Sequence, residues 1–255
     1  MSPETLVLVI SLADAAERRA GFSERARATT LPWKFFDAHR ALGAGLAYDP
    51  DDAVVAKGRV LTPGELGCYS SHYHAWLALL DSRVAQMIVL EDDTIVDWTF
   101  LEKLATVEFA AHGVSYLRLY AKRPTAFRLH GEAIEARRFL VEYAAYVHGT
   151  QGYVISRAGA ERFVRHCRRV RRPVDNELDR AWDHSVPCLA LFPFPLTEIS
   201  TGSTIGAGRW ERPEVPAALR GARLGMRLLE RTRRTRWWLR VMTRLRSPAP
   251  GLRLR

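Results

Sequence analysis

Cysteine is scarce in this chain, and the scarcity removes two classes of protein at once. Cys68, Cys167 and Cys188 are odd in number, far apart and never paired as C-x-x-C. Neither a disulfide framework nor a cysteine zinc site is expected. Long apolar runs are missing too, since no stretch approaches the roughly 18 residues needed to cross a bilayer. The opening MSPETLVLVISL has Glu4 where a secretory leader has basic residues, which argues against a signal peptide. What is left is a globular chain of a reducing, cytosolic compartment. Its 255 residues and 47% apolar content suffice for one large core.

Negative charge is lacking at one end only. Residues 209–255 hold 14 Arg, no Lys and 3 Glu, a net of +11, whereas residues 1–208 hold 24 basic against 25 acidic residues, a net of −1. The formal charge of +10 therefore belongs to the tail. This divides the chain into a core domain, 1–208, and a basic helical tail, 209–255.

Strand and helix signals alternate along the core, which predicts an α/β sheet layered by helices. TLVLVISL (5–12) reads as a buried strand. The polar DAAERRAGFSERARA (14–28) reads as a helix with Asp14 at its N-cap. WKFFDA (33–38) returns to strand character, and residues 39–60 read as a loop. Thr62 and Pro63, favoured at N-cap and N1, open a helix through ELGCYSSHYHAWLALLDS. QMIVLE is a strand, WTFLEKLATVEF a helix and GVSYLRLY a strand. A hairpin is expected over 125–147, then the strand GYVIS and the helix RAGAERFVRHCRRV.

The most informative stretch is IVLEDDTIV (88–96), where an apolar strand runs into three adjacent carboxylates. In α/β sheets ligands gather beyond the carboxyl ends of the strands. Strand geometry sends Glu91 and Asp93 to one side and Asp92 to the other. Two hard oxygen donors then converge where Mg²⁺ or Mn²⁺ could bridge to a diphosphate. The competing reading is a solvated acidic turn that caps the next helix. The preceding helix places Cys68, His72 and Trp76 four residues apart on one face. His72 there is either a packing residue or part of a site.

Taken together, VISLADAAERR, FFDA, LTPGELGCYSSHYHAW and VLEDD resemble glycosyltransferase family 25, the lipopolysaccharide and lipooligosaccharide galactosyltransferase-like family. GTQGYVISRAGAERF (149–163) and RPVDNELD (172–179) resemble its downstream blocks, so the likeness covers most of 5–206. It implies a GT-A type fold, a UDP-hexose donor (usually UDP-galactose), a divalent metal at the acidic triplet and an inverting single displacement. On that basis Ser11, Arg18, Arg19, His72, Glu91 and Asp92 bind the donor, and Glu91 and Asp93 hold Mn²⁺ or Mg²⁺. Asp175 takes the acceptor's proton, with a helix N-cap as its alternative role. Residues 39–60 and the tail have no counterpart in the resemblance.

In the tail, Pro213 and Pro216 precede a helix-favouring run. Trp238, Val241, Met242 and Leu245 recur at i, i+3, i+4 and i+7, with Arg236, Arg240 and Arg244 along another side. That pattern predicts an interfacial helix on anionic lipid over 217–246, against the alternative of packing on the core through the same face. The sequence therefore predicts a transferase acting on a glycolipid or lipopolysaccharide acceptor, peripheral on the inner face of the plasma membrane. Two rivals remain: a nucleic-acid binder using the Arg-rich tail, and a metal-dependent phosphoesterase.

Overall fold

The computed structural model describes residues 4–123, 125–199 and 214–243. Twelve strands and eight helices follow in the order β1 (Thr5–Ser11), α1 (Ala16–Arg25), β2 (Trp33–Asp37), β3 (Ala47–Tyr48), α2 (Pro50–Lys57), α3 (Pro63–Asp81), β4 (Gln86–Glu91), β5 (Thr94–Val96), α4 (Trp98–Ala105), β6 (Tyr116–Arg118), β7 (Phe127–Ala133), β8 (Glu135–Tyr143), β9 (Gly152–Ser156), α5 (Arg157–His166), β10 (Arg169–Val170), α6 (Val174–Leu178), α7 (Ala181–His184), β11 (Cys188–Phe192), β12 (Leu196–Glu198) and α8 (Ala217–Thr243). Eight strands form one mixed sheet in the order β2-β1-β4-β9-β6-β11-β8-β7. β1 runs parallel to both β2 and β4, and β9 lies antiparallel between β4 and β6.

Alternation along the central strands sorts their side chains into two cores. Val7, Val9, Ile88, Leu90 and Val154 face α1 and α4. Leu8, Ile10, Met87, Val89, Tyr153 and Ile155 face α3 and α5. With both faces covered, the central strands must read as continuous apolar runs, as VLVI and MIVL do. Trp76 of α3 is fully buried in the second core. Truncating such a side chain to Ala costs about 3–5 kcal/mol.

Local chemistry sets several element ends. Thr62 and Glu65 form a reciprocal capping box at the start of α3, with Pro63 in the first turn. Asp14 does not cap α1: the N-cap is Ala15, and Asp14 pairs with Arg40 instead. The expected loop at 39–60 contains β3 and α2, the latter capped by Asp49, opened by Pro50 and closed by Gly58 at φ +97°. The loop before β3 lies so close to α3 that a Cβ on Gly67 would stand 2.5 Å from the His39 carbonyl oxygen. The hairpin at 125–147 is present as β7 and β8. Beyond it, CLALF forms β11, which sequence reading passed over.

The tail helix does not stand apart. α8 packs against α2 and α7, and Trp237 and Val241 are buried with Ala144 and Ala181. The stripe expected from its periodicity is therefore split: Val241 faces the core, while Trp238 and Met242 are exposed. Leu245 and Arg244 lie outside the described residues. Glu230, the one carboxylate in α8, anchors the docking by accepting hydrogen bonds from Arg180, Trp182 and Tyr146. No described helix is long and apolar enough to cross a membrane.

Candidate active site

β1 and β4 end side by side, with Ile10 in register with Glu91. This brings Ser11 to the acidic triplet, where its hydroxyl donates to Asp92 Oδ2 at 2.6 Å. Asp92 also pairs with Arg18 at 3.3 Å and is buried. Burial raises its carboxyl above the ordinary value, against the lowering effect of Ser11 and Arg18.

The strand ends at Glu91 and the chain turns through Asp92 and Asp93, so strict strand alternation does not carry beyond Glu91. All three carboxylates nevertheless line one cavity of about 740 Å³, together with Ser11, Arg18 and His72. Arg19 is not in that lining: its guanidinium donates to the Ser11 carbonyl at 2.9 Å and pairs with Asp37. Of the two arginines assigned to the nucleotide, only Arg18 faces the cavity.

His72 is held by a buried polar chain. Trp76 Nε1 donates to the Tyr153 hydroxyl at 2.9 Å, and that hydroxyl stands 2.9 Å from His72 Nδ1. His72 Nε2, buried without a hydrogen bond, lies 3.4 Å from Glu91 Oε1. Glu91 accepts from the Thr150 hydroxyl, and its backbone N–H donates to the Gln151 carbonyl at 2.9 Å. His72 is thus both packed and turned toward the site.

Asp93 is the anomalous group. Its Oδ1 is buried with no hydrogen bond. Burial, then the charges of Glu91, Asp92 and Glu198, push its carboxyl up to about 7. A carboxylate crowded by like charge and missing a partner suits a hard divalent cation, and Glu91 and Asp93 supply two oxygen donors of the right kind. Among the described residues no group of three or more His, Cys, Asp and Glu side chains is arranged to hold a metal. Two carboxylates are as many as the described residues offer a metal here.

A second cavity, of about 770 Å³, adjoins the first and shares Cys68, Glu91, Lys122 and Gln151 with it. Asp175 lines this one. It sits inside α6 rather than at its N-cap, which is Pro173 and makes no side-chain cap. Burial raises its carboxyl, but contact with His148, the Gly149 N–H and the Lys57 charge outweigh this and hold it at about 2. His148, absent from the sequence-based site, adopts φ +58° and places Nδ1 3.4 Å from Asp175 Oδ2. A left-handed backbone at a non-glycine residue is costly and marks a place the surroundings over-determine. Here the determinant is visible: Asp179 accepts the N–H groups of Val147 and His148, and Arg118 donates to the carbonyls of His148 and Gly149. Arg118 and Asp179, both fully buried, also pair with each other at 2.5 Å. Thr150, Gln151, Lys122 and Lys57 were likewise missed by sequence reading. The one signal near them was the pair Gly149 and Gly152, and Gly149 does adopt φ +86°.

The model of glycosyltransferase family 25 (LPS biosynthesis protein) matches residues 5–178. Procollagen galactosyltransferase 1 of Danio rerio is 30% identical over 139 residues, covering 54% of this chain and 23% of the relative. Procollagen galactosyltransferase 2 of Homo sapiens is 33% identical over 115 residues, 42% of this chain and 17% of the relative. A probable inactive glycosyltransferase 25 family member 3 of Bos taurus is 30% identical over 170 residues, 62% of this chain and 28% of the relative. The chain spans less than a third of the length of these curated relatives. With the match running unbroken from the first strand through Asp175 into α6, the chain belongs to glycosyltransferase family 25.

Proposed function

We propose that this chain transfers a hexose, galactose by analogy with its named relatives, from a UDP-sugar to a hydroxyl of a glycoconjugate acceptor. One observation carries the reading: two cavities meet at Glu91 beyond the ends of β1 and β4, one bearing the acidic triplet and the other Asp175. Two adjoining chambers suit a reaction of two substrates. The mixed sheet with its parallel β2-β1-β4 edge supports the GT-A assignment.

In this reading the donor occupies the first cavity. Arg18 faces its phosphates, with Ser11 and Asp92 fixing the arginine's approach. Mg²⁺ or Mn²⁺ would be held by Glu91 and Asp93, and when bound it supplies positive charge against the departing UDP. The acceptor occupies the second cavity with its hydroxyl against Asp175. As that oxygen bonds to the anomeric carbon, the bond to the UDP oxygen breaks and the hydroxyl proton passes to the Asp175 carboxylate, with inversion. A group held at about 2 is a weak base, so Asp175 chiefly aligns the hydroxyl and takes the proton late.

Membrane association follows a different stripe from the one read in the sequence. Leu224, Leu228, Leu239 and Met242 are exposed on the outer side of the docked α8, and Arg residues flank them. An apolar stripe rimmed by Arg suits an anionic lipid surface, such as the inner face of the plasma membrane, where a glycolipid or lipopolysaccharide acceptor is presented. The nucleic-acid reading loses ground because Arg223 and Arg233 are engaged by the core. The phosphoesterase reading has only two candidate metal carboxylates to draw on. The test of the transfer reading is a screen of UDP-, GDP- and CMP-sugars for hydrolysis with Mn²⁺. Release of UDP from UDP-galactose in preference to the others is expected, and no turnover of any nucleotide sugar would sink it.

A further inference from the structure

Positive charge without matching carboxylate gathers along the inner side of α8. A third cavity, of about 490 Å³, is walled by Arg172, Arg223, Arg227, Arg231 and Arg234, with Glu230 the one carboxylate in its lining. Glu230 is already engaged by Arg180 and Trp182. Among the described residues Arg223, Arg227, Arg231 and Arg234 form no ion pair, whereas Arg172 and Arg233 do.

Two of these side chains are fixed in place. Arg223 donates to the carbonyls of Val55, Ala56 and Lys57 at the end of α2. Its charge sits at the negative end of the α2 dipole, and among the described residues no carboxylate pairs with it. Arg172 is 3% exposed; its Nη1 reaches Glu177 Oε1 at 3.4 Å, but its Nη2 makes no hydrogen bond, with Glu230 Oε1 standing off at 3.7 Å. A buried guanidinium N–H left unmade is expensive, and a ligand oxygen in the cavity would relieve it. Burial, then the charges of Arg227 and Arg172, push the Arg223 guanidinium below its ordinary value. Burial is the larger cause, and the neighbouring arginines add to it.

Tyr146 and Trp182 complete the wall with aromatic surface, their rings packed edge-to-face at 5.2 Å. Guanidinium groups above aromatic surface provide for an anionic group on an apolar-faced ring, and the arginine fork matches phosphate or carboxylate. The cavity also joins the reaction site, because Arg223 and Arg227 line the Asp175 cavity as well.

We infer that the arginine cavity is an acceptor subsite for an oxyanion-bearing sugar, a phosphorylated or carboxylated unit next to the one that receives the hexose. This rests on the transferase reading above and names the class of acceptor for it.

The experiment uses the full-length protein with UDP bound, titrated calorimetrically with glucose 6-phosphate, glucuronate and glucose. Parallel arms measure binding to vesicles of phosphatidylglycerol and of phosphatidylcholine. The protein is compared with Arg227→Gln, Arg231→Gln and their double variant, all exposed positions. Arg83→Gln, at the opposite end of β4, is the control. Both anionic sugars should bind at least about tenfold more tightly than glucose, and the double variant should lose about tenfold for them while the control loses nothing. Equal binding of glucose and glucose 6-phosphate overturns the subsite. So does a double variant that loses phosphatidylglycerol binding but keeps sugar-phosphate binding, which would assign the arginines to lipid headgroups. Hydrolysis of UDP-galactose by the unaltered protein is followed separately. If arginine-dependent sugar-phosphate binding persists in a protein that hydrolyses no nucleotide sugar, the anion site stands and its role as acceptor subsite falls.

Discussion

The cavity at the triplet and the cavity under α8 share neighbours but differ in sign. At the triplet, Glu91, Asp92, Asp93 and Glu198 crowd together with Arg18 and Lys122 as the facing cations, while Arg40 and Asp14 in the same lining pair with each other. Under α8, five arginines face a single glutamate. Both arrangements cost stability through like-charge repulsion, and each leaves a buried polar atom unsatisfied, Asp93 Oδ1 in one and Arg172 Nη2 in the other. The teaching is that imbalance of charge, rather than conspicuous residue type, locates what a ligand would bring: a cation to the triplet cavity and an anion to the cavity under α8.

The comparison is broken most severely at the triplet. Asp93→Asn removes one of two candidate metal donors and should abolish Mn²⁺-dependent hydrolysis of UDP-galactose. Thermal stability should hold or rise, because repulsion from Glu91 and Asp92 is relieved. Full activity in that variant, or in excess EDTA, removes the metal assignment. Next in size is Asp175→Asn, for which kcat should fall on the order of 10²-fold with donor KM unchanged. A loss confined to donor KM, with kcat kept, would move Asp175 out of the acceptor side.

A third prediction sharpens the comparison through the packing that supports α6, α7 and α8. His184 donates from Nε2 to the Glu177 carbonyl and accepts the Val186 N–H at Nδ1, so it is built to be neutral. Burial, then the nearby His166 and Arg180 charges, lower it from 6.5 to about 3. The unfolded chain therefore takes up the proton first, and stability drains away as pH falls from about 6.5 toward about 3. The slope from this one group is about 1.4 kcal/mol per pH unit. Thermal melts across pH 7 to 4 should show a steeper decline for the unaltered protein than for His184→Gln, and parallel declines would contradict the assignment. The smallest effect belongs to the outer side of α8. Leu224→Glu with Leu228→Glu should weaken binding to phosphatidylglycerol vesicles severalfold, while donor hydrolysis stays as it was. Undiminished vesicle binding would leave α8 as a purely structural helix.

Much of the first chamber was legible in the sequence, and little of the second. VLEDD, Ser11 and the Thr62–Pro63 start of α3 are local signals, and each lands where local chemistry puts it. Arg19 stands outside the cavity lining, because sequence proximity to Ser11 does not say whether a guanidinium points into a cavity or back onto its own strand. The second chamber draws on α2, the 147–151 turn, α6 and α8, which no short window of sequence contains. α2 itself was readable from Asp49, Pro50 and Gly58 but was hidden by an acidic, glycine-containing neighbourhood. In α8 apolar residues occur on more than one side, so periodicity alone chose the wrong contact face. The lone Glu230 in an arginine-rich helix was the better guide, since one carboxylate among so many cations points to a specific partner.

The clamp formed by Arg118 and Asp179 has a consequence for how the family's chemistry can diversify. It fixes the His148–Gly149 turn from beneath, using groups that touch neither chamber's contents, whereas the arginines of the second chamber ride on a helix contributed from the end of the chain. Inheritance could therefore act on the two separately. On the proposed reading, replacing α8 is expected to change which acceptors are admitted while the His148–Gly149 turn keeps its shape, and a change at Asp179 to lower activity toward every acceptor alike.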